Sequence, residues 1–166
     1  MTKKYSKEEQ EKLRERCGLP INTYFSAVKM RWLMQNSDGV KKMLADASCD
    51  EKLCFGTIDT WLMAKLTGLS SIATDSTNAS RTMLMNLHSL EWSDETLAMF
   101  EIKKCWLPEI KKSSSENFGK ISDPQCSALE GVEITGVLGD QQAACLGHIL
   151  REGQVKTTYG TGCFIL

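Results

Sequence analysis

Two stretches near the end of the chain combine residue types that can handle a polar ligand. The first is Gly139-Asp140-Gln141-Gln142, where a carboxylate follows an apolar, β-prone run and precedes a helix-like one. Asp140 has two readings there. It can cap the helix by accepting its free N–H groups, or it can stand at the C-terminal end of a strand, where open α/β sheets place their ligands. In the second reading it accepts a proton from a substrate hydroxyl, or holds magnesium through water. Gln141 beside it offers both a donor and an acceptor to a polyol. The second stretch is Tyr159-Gly160-Thr161-Gly162. Its glycines let the backbone approach a phosphate, the N–H groups of a turn form an anion-binding nest, and the Thr161 hydroxyl adds a donor. The same four residues also make a plain turn between two strands. The chain has no Walker A sequence and no Rossmann fingerprint.

Other chemistries are poorly supplied. Of the two histidines, His88 has no evident carboxylate or cysteine partner in the sequence, and His148, on the helix after Asp140, reads as structural or partly exposed. Seven cysteines stand at 17, 49, 54, 105, 126, 145 and 163 with no Cys-x-x-Cys pair, so they read as reduced thiols, many buried, rather than a zinc site. Twenty Lys and Arg against 21 Asp and Glu give a net charge of −1, which argues against broad binding to nucleic acid or to an anionic membrane. No apolar run approaches the roughly 18 residues that span a bilayer. The charged N-terminus, with Glu8, Glu9, Glu11 and Glu15, is unlike a secretory or transit peptide. The expectation is an intracellular, cytoplasmic protein.

The elements that must position these residues follow from pattern. Ser6-Lys7-Glu8-Glu9 is a capping box opening a helix that ends near Cys17, before Gly18 and Pro20. Helices are expected over 25–36, with Phe25, Val28 and Trp32 on the core stripe, and over 40–47. Thr57 caps a helix whose core stripe is Ile58, Trp61, Leu62 and Leu66, ending at Gly68. A strand over 71–74 and a helix from Ser93 through Phe100 follow. Residues 111–119 and 122–131 read as loops. Residues 132–138 read as a strand, 141–150 as a helix ended by Gly153, and 155–159 and 163–166 as strands. A helix-rich front thus leads to a β-containing back that carries both stretches of interest.

Taken together, these segments resemble one family. Tyr24-Phe25-Ser26-Ala27-Val28-Lys29-Met30-Arg31-Trp32-Leu33-Met34-Gln35-Asn36 fits the first signature of the FGGY carbohydrate kinases. Phe55-Gly56-Thr57-Ile58-Asp59-Thr60-Trp61-Leu62 and Thr74-Asp75-Ser76-Thr77-Asn78-Ala79-Ser80-Arg81-Thr82-Met83-Leu84 narrow the likeness to the glycerol kinases within it. Gly139-Asp140-Gln141-Gln142-Ala143-Ala144 and Thr158-Tyr159-Gly160-Thr161-Gly162-Cys163-Phe164 continue it in family order. The resemblance implies an α/β fold of the actin/hexokinase type, built on ribonuclease-H-like domains around a cleft. It implies transfer of a phosphoryl group from ATP, with Mg2+, to the terminal hydroxyl of glycerol. By motif matching, Asp140 takes the catalytic base, Tyr24 and Gln141 contact glycerol, and Phe164 lines its pocket. Thr161, between Gly160 and Gly162, meets the nucleotide phosphates.

The family's Gly/Thr-rich first phosphate hairpin, its glycerol-gripping Arg-Glu pair and its C-terminal domain have no counterpart in the sequence. Residues 1–166 are therefore expected to be part of an N-terminal domain, with little or no kinase activity alone, from a parent that forms dimers or tetramers. The alternatives are a kinase of another sugar or polyol, or a short non-catalytic chain that binds a partner.

Overall fold

The computed structural model describes residues 5–46, 48, 50, 52–114 and 116–166. Helix α1 (Lys7–Cys17) opens as its sequence predicts. Ser6 Oγ accepts the Glu9 N–H at 3.2 Å, and the Glu9 carboxylate accepts the Ser6 N–H at 2.7 Å. Gly18 closes it in the left-handed region at φ +74°, and Leu13 and Cys17 turn inward. Helix α2 (Ser26–Asn36) passes through Ser37 into α3 (Asp38–Ala45), with Ser37 Oγ accepting the Val40 N–H. That cap starts α3 two residues earlier than the apolar pattern suggests. Ala47, Cys49 and Ser115, which figure in the sequence reading, lie outside the described residues.

Helix α4 (Ile58–Leu66) reverses its expected faces. Asp59, Thr60, Met63 and Ala64 are buried, whereas Ile58, Trp61 and Leu62 are exposed. The reason is polar. The Asp59 carboxylate accepts hydrogen bonds from the hydroxyls of Thr57 and Thr74, the latter at 2.6 Å, and a carboxylate goes inside where donors meet it. Trp32 of α2 likewise lies outside, while Phe25, Val28 and Met30 hold the core.

Strand β1 (Ala73–Asp75) runs straight into the short helix α5 (Ser76–Ala79). Helix α6 (Asp94–Phe100) and strand β2 (Glu109–Lys111) follow, and β2 pairs in parallel with β1, Asp75 opposite Lys111. Strand β2 is too short and too charged to stand out in the sequence.

Residues 132–138 do not form the expected strand. They bridge the 113–121 segment at Ser114 with Gly136 and Lys120 with Glu133. Between the two bridges one segment advances six residues, Ser114 to Lys120, and the other three, Glu133 to Gly136, so no continuous ladder fits. Phe118 N–H to Ile134 O and Val137 N–H to Ser113 O tie the segments instead. In 122–131 the chain makes a 3-10 turn over Pro124–Leu129.

Helix α7 (Asp140–Gly147) stops well before Gly153, because Ile149 turns left-handed at φ +52° and donates to Leu146 O. Strands β3 (Thr157–Tyr159) and β4 (Cys163–Ile165) form an antiparallel hairpin about Gly160-Thr161-Gly162, as expected.

The main core gathers Leu13, Phe25, Val28, Met83, Leu84, Phe100 and Trp106 from the front of the chain. A second, smaller core joins Met63, Ala73, Phe118 and Val137 under β1. Among the six described cysteines only Cys17 is buried, against the expectation of many, and all six are free. Among the described residues, no helix is long and apolar enough to cross a membrane.

Candidate active site

Tyr24, Asp140, Gln141 and Phe164 meet in one cleft of about 400 Å³, although 140 residues of sequence separate the first from the last. Three supports bring them there. Tyr24 sits just before α2, with its N–H on Asn22 Oδ1 at 2.8 Å and its ring edge-on to Phe25. Asp140 is the first residue of α7. Gly139, and not Asp140, holds the N-cap position of that helix, although Asp140 does accept one free N–H of its first turn, as the capping reading expected. Among the described residues the Asp140 carboxylate accepts only the adjacent Gln141 N–H, through Oδ1 at 2.8 Å, and Asp140 is exposed and lines the cleft. Phe164 is carried by β4, directly opposite Thr158 of β3.

The position of Asp140 is set from below. Asp75, fully buried at the end of β1, accepts five hydrogen bonds. They come from the N–H and hydroxyl of Thr77, the N–H and amide of Asn78, and the Ser113 hydroxyl. Burial alone raises the pKa of such a carboxyl, but the bonds from Ser113, Thr77 and Asn78 outweigh it and hold the pKa below the ordinary carboxylate range. The Thr77 hydroxyl, having donated to Asp75 at 2.6 Å, accepts the Gly139 N–H at 2.7 Å. Gly139 has little room: an added Cβ would sit 2.8 Å from Gln142 Oε1 and 3.4 Å from Thr77 Oγ1.

Gly160 and Thr161 are exposed and Gly162 half-buried at the tip of the hairpin, and none of the three lines the cleft. Gly160 donates its N–H to Gly162 O across the tip, so that N–H is not offered to a ligand. Among the described residues no three His, Cys, Asp or Glu side chains gather as a metal cage. Among the described residues the second Asp140 carboxylate oxygen has no protein partner, which fits a water-mediated contact to a metal carried in by a nucleotide.

Sequence reasoning missed three neighbours. Asn78 and Arg81 line the cleft, with the Arg81 guanidinium 5.1 Å from the centre of the Phe25 ring. Lys156 is buried and donates to Gln141 Oε1 at 2.7 Å and to the Thr158 hydroxyl. The available signal was alternation: Lys156, just before β3, and Thr158 share one face of the hairpin.

Residues 1–147 match the profile of the N-terminal domain of the FGGY family of carbohydrate kinases. The chain belongs to that family. It is 49% identical over 160 residues to a glycerol kinase of Brucella anthropi, covering 94% of this chain and 30% of that protein. It is 50% identical over 159 residues to a glycerol kinase of Mycoplasmoides gallisepticum, again covering 94% of this chain and 30% of the relative. The crystal structure of Plasmodium falciparum glycerol kinase with ADP matches at a TM-score of 0.86 and 40% identity, over 99% of this chain and 32% of that one. The FGGY chain thus spans about 30% of the length of the curated relatives it matches. The β3–β4 hairpin follows the last residue of the family match.

Proposed function

We propose that these residues form one wall of the cleft in which a full-length parent phosphorylates glycerol. The observation that carries this reading is the convergence of Tyr24, Asp140, Gln141 and Phe164 on one cavity. A triol needs such a mixture. The Phe164 ring packs its carbon chain, Tyr24 and Gln141 bond its hydroxyls, and Asp140 takes the proton of the hydroxyl that reacts. That proton leaves as the oxygen attacks the γ-phosphorus of ATP. The new P–O bond forms while the bond to the β-phosphate oxygen breaks, giving glycerol 3-phosphate and ADP. Bound ATP with magnesium supplies the phosphoryl group and neutralises its charge. Thr161 and its flanking glycines would meet the phosphates, and Asp140 would meet the metal through water.

The same reading makes residues 1–166 part of an N-terminal domain, and the parent a cytoplasmic dimer or tetramer. A polypeptide of these residues alone presents an open cleft that does not exclude water, so it turns over glycerol slowly or not at all.

Two measurements test this. Titrating the 15N-labelled chain with glycerol at millimolar concentration shifts the resonances of Tyr24, Asp140, Gln141 and Phe164, and a pentulose shifts them less. Equal shifts with the pentulose favour a different sugar, and no shift at all overturns the reading. Glycerol- and ATP-dependent ADP release from the 166-residue chain, lost in Asp140→Asn, overturns the low activity of the chain alone.

A further inference from the structure

Lys156 poses a physical question that the polyol reading does not answer. The residue is only 7% exposed, yet among the described residues no carboxylate lies within ion-pair distance of it. A buried ammonium without a counter-ion is costly unless polar acceptors meet it. Its two acceptors are neutral: Gln141 Oε1 at 2.7 Å and the Thr158 hydroxyl. The Thr158 hydroxyl in turn donates to the same Gln141 oxygen at 3.2 Å. Three side chains thus close a triangle on a single carbonyl oxygen.

The backbone fixes this triangle. Lys156 pairs with Leu166 in both directions, N–H to O at 2.8 and 3.0 Å, and Thr158 lies opposite Phe164. Lys156, Thr158, Phe164 and Leu166 therefore occupy one face of the hairpin, and Phe164 and Leu166 of that set line the cleft with Gln141.

An amide side chain has an oxygen that accepts and a nitrogen that donates. A lysine ammonium has donors only, so it can face nothing but the oxygen. With Oε1 held on the hairpin side, the Nε2 branch is the one left for the cleft, and among the described residues it has no partner.

We propose that Lys156 is a positioning and specificity residue: it locks the Gln141 carboxamide so that the cleft receives a hydrogen-bond donor at that point and never an acceptor. This rests on the polyol reading of the cleft. Its consequence is chemical discrimination. A hydroxyl oxygen can accept from Gln141, whereas an ammonium in the same place, which only donates, cannot.

The test uses the 166-residue chain, 15N-labelled, with glycerol and its analogue 2-aminopropane-1,3-diol, protonated at neutral pH. In the wild-type chain the Gln141 side-chain NH2 pair shifts with glycerol, and the amino diol binds about tenfold more weakly, the scale of one hydrogen bond to a charged or mismatched group. In Lys156→Met the freed amide can turn its oxygen to the ammonium, and the preference falls to about twofold or less. A preference unchanged by Lys156→Met overturns the proposal.

A ligand-free arm judges the lock itself. Gln141→Glu places a carboxylate against Lys156, so it raises the melting temperature with Lys156 present and lowers it in the Lys156→Met background. The same shift in both backgrounds overturns the lock. Absence of any glycerol shift in the wild-type chain overturns the polyol reading and the specificity role with it, while the ligand-free arm still reads the lock separately.

Discussion

The hydroxyl of Thr77 accepts the backbone N–H of Gly139 at 2.7 Å across 62 residues of sequence. The same hydroxyl gives its proton to the buried Asp75, so its lone pairs are aimed rather than free to rotate. One side chain thus fixes the residue that precedes Asp140. Thr77→Val removes the acceptor and leaves a Gly139 N–H inside without a partner, at a cost of about 1–3 kcal/mol. Urea denaturation reads that loss. Amide exchange at Gly139 should accelerate at least tenfold in Thr77→Val, and Thr77→Ser should restore it. Normal exchange at Gly139 in the valine variant would show that the bond does not hold the loop.

Asp75 makes the structure acid-sensitive. Its carboxyl titrates below the ordinary range when folded and at the ordinary value, about 3.9, when unfolded. The unfolded state therefore takes up the proton first as pH falls. The stability Asp75 contributes is complete above the unfolded pKa and disappears through the folded one. Urea midpoints measured from pH 7 down to pH 3 should fall more steeply for the wild-type chain than for Asp75→Asn. Parallel curves would mean that another carboxylate dominates the acid transition.

Gly119 and Gly131 separate backbone strain from crowding. Both have positive φ, +117° and +78°. A Cβ at Gly119 would meet Thr67 Cγ2 at 2.8 Å and Ser71 Cβ at 3.2 Å, whereas one at Gly131 meets nothing within 4 Å. Gly131→Ala should cost about 1 kcal/mol for the dihedral alone. Gly119→Ala should cost about 3 kcal/mol, because the clash is added to it. Chemical denaturation of the two variants checks the difference.

Ile149 offers the opposite case. A β-branched residue at φ +52° is strained, and Ile149 is 73% exposed, so little burial compensates it. Ile149→Gly should raise stability by about 0.5–1 kcal/mol, read as a higher melting temperature. A lower one would show that the isoleucine side chain matters more than its backbone.

The Ser6 capping box, the Ser93 start of α6 and the glycine-turned hairpin were legible in the sequence because each rests on local chemistry within a few residues. The meeting of Tyr24, Asp140, Gln141 and Phe164 was legible only through matched blocks of residues, since nothing local ties position 24 to position 164. What escaped was set by long-range polar contacts. Asp59 turns α4 over by finding Thr74, fifteen residues on. Asp75 organises the cleft floor through Ser113, and Lys156 goes inside to meet Gln141. Charged residues read as solvent-facing until their partners are known, and those partners come from elsewhere in the chain. Residues 132–138 misled for a related reason. They are β-prone, but the register of their partner segment breaks between the two bridges.

The turned-over helix has an optical consequence. Trp61 on α4 and Trp32 on α2 are 59% and 58% exposed, while Trp92 and Trp106 are 8% and 4% exposed. The four tryptophans of the chain therefore form two populations. One pair emits as indole in water and is open to collisional quenching by iodide. The other emits from an apolar setting and is shielded until the chain unfolds. A quenching curve that levels off at about half of the emission reports an intact core, so the protein carries its own internal standard for folding.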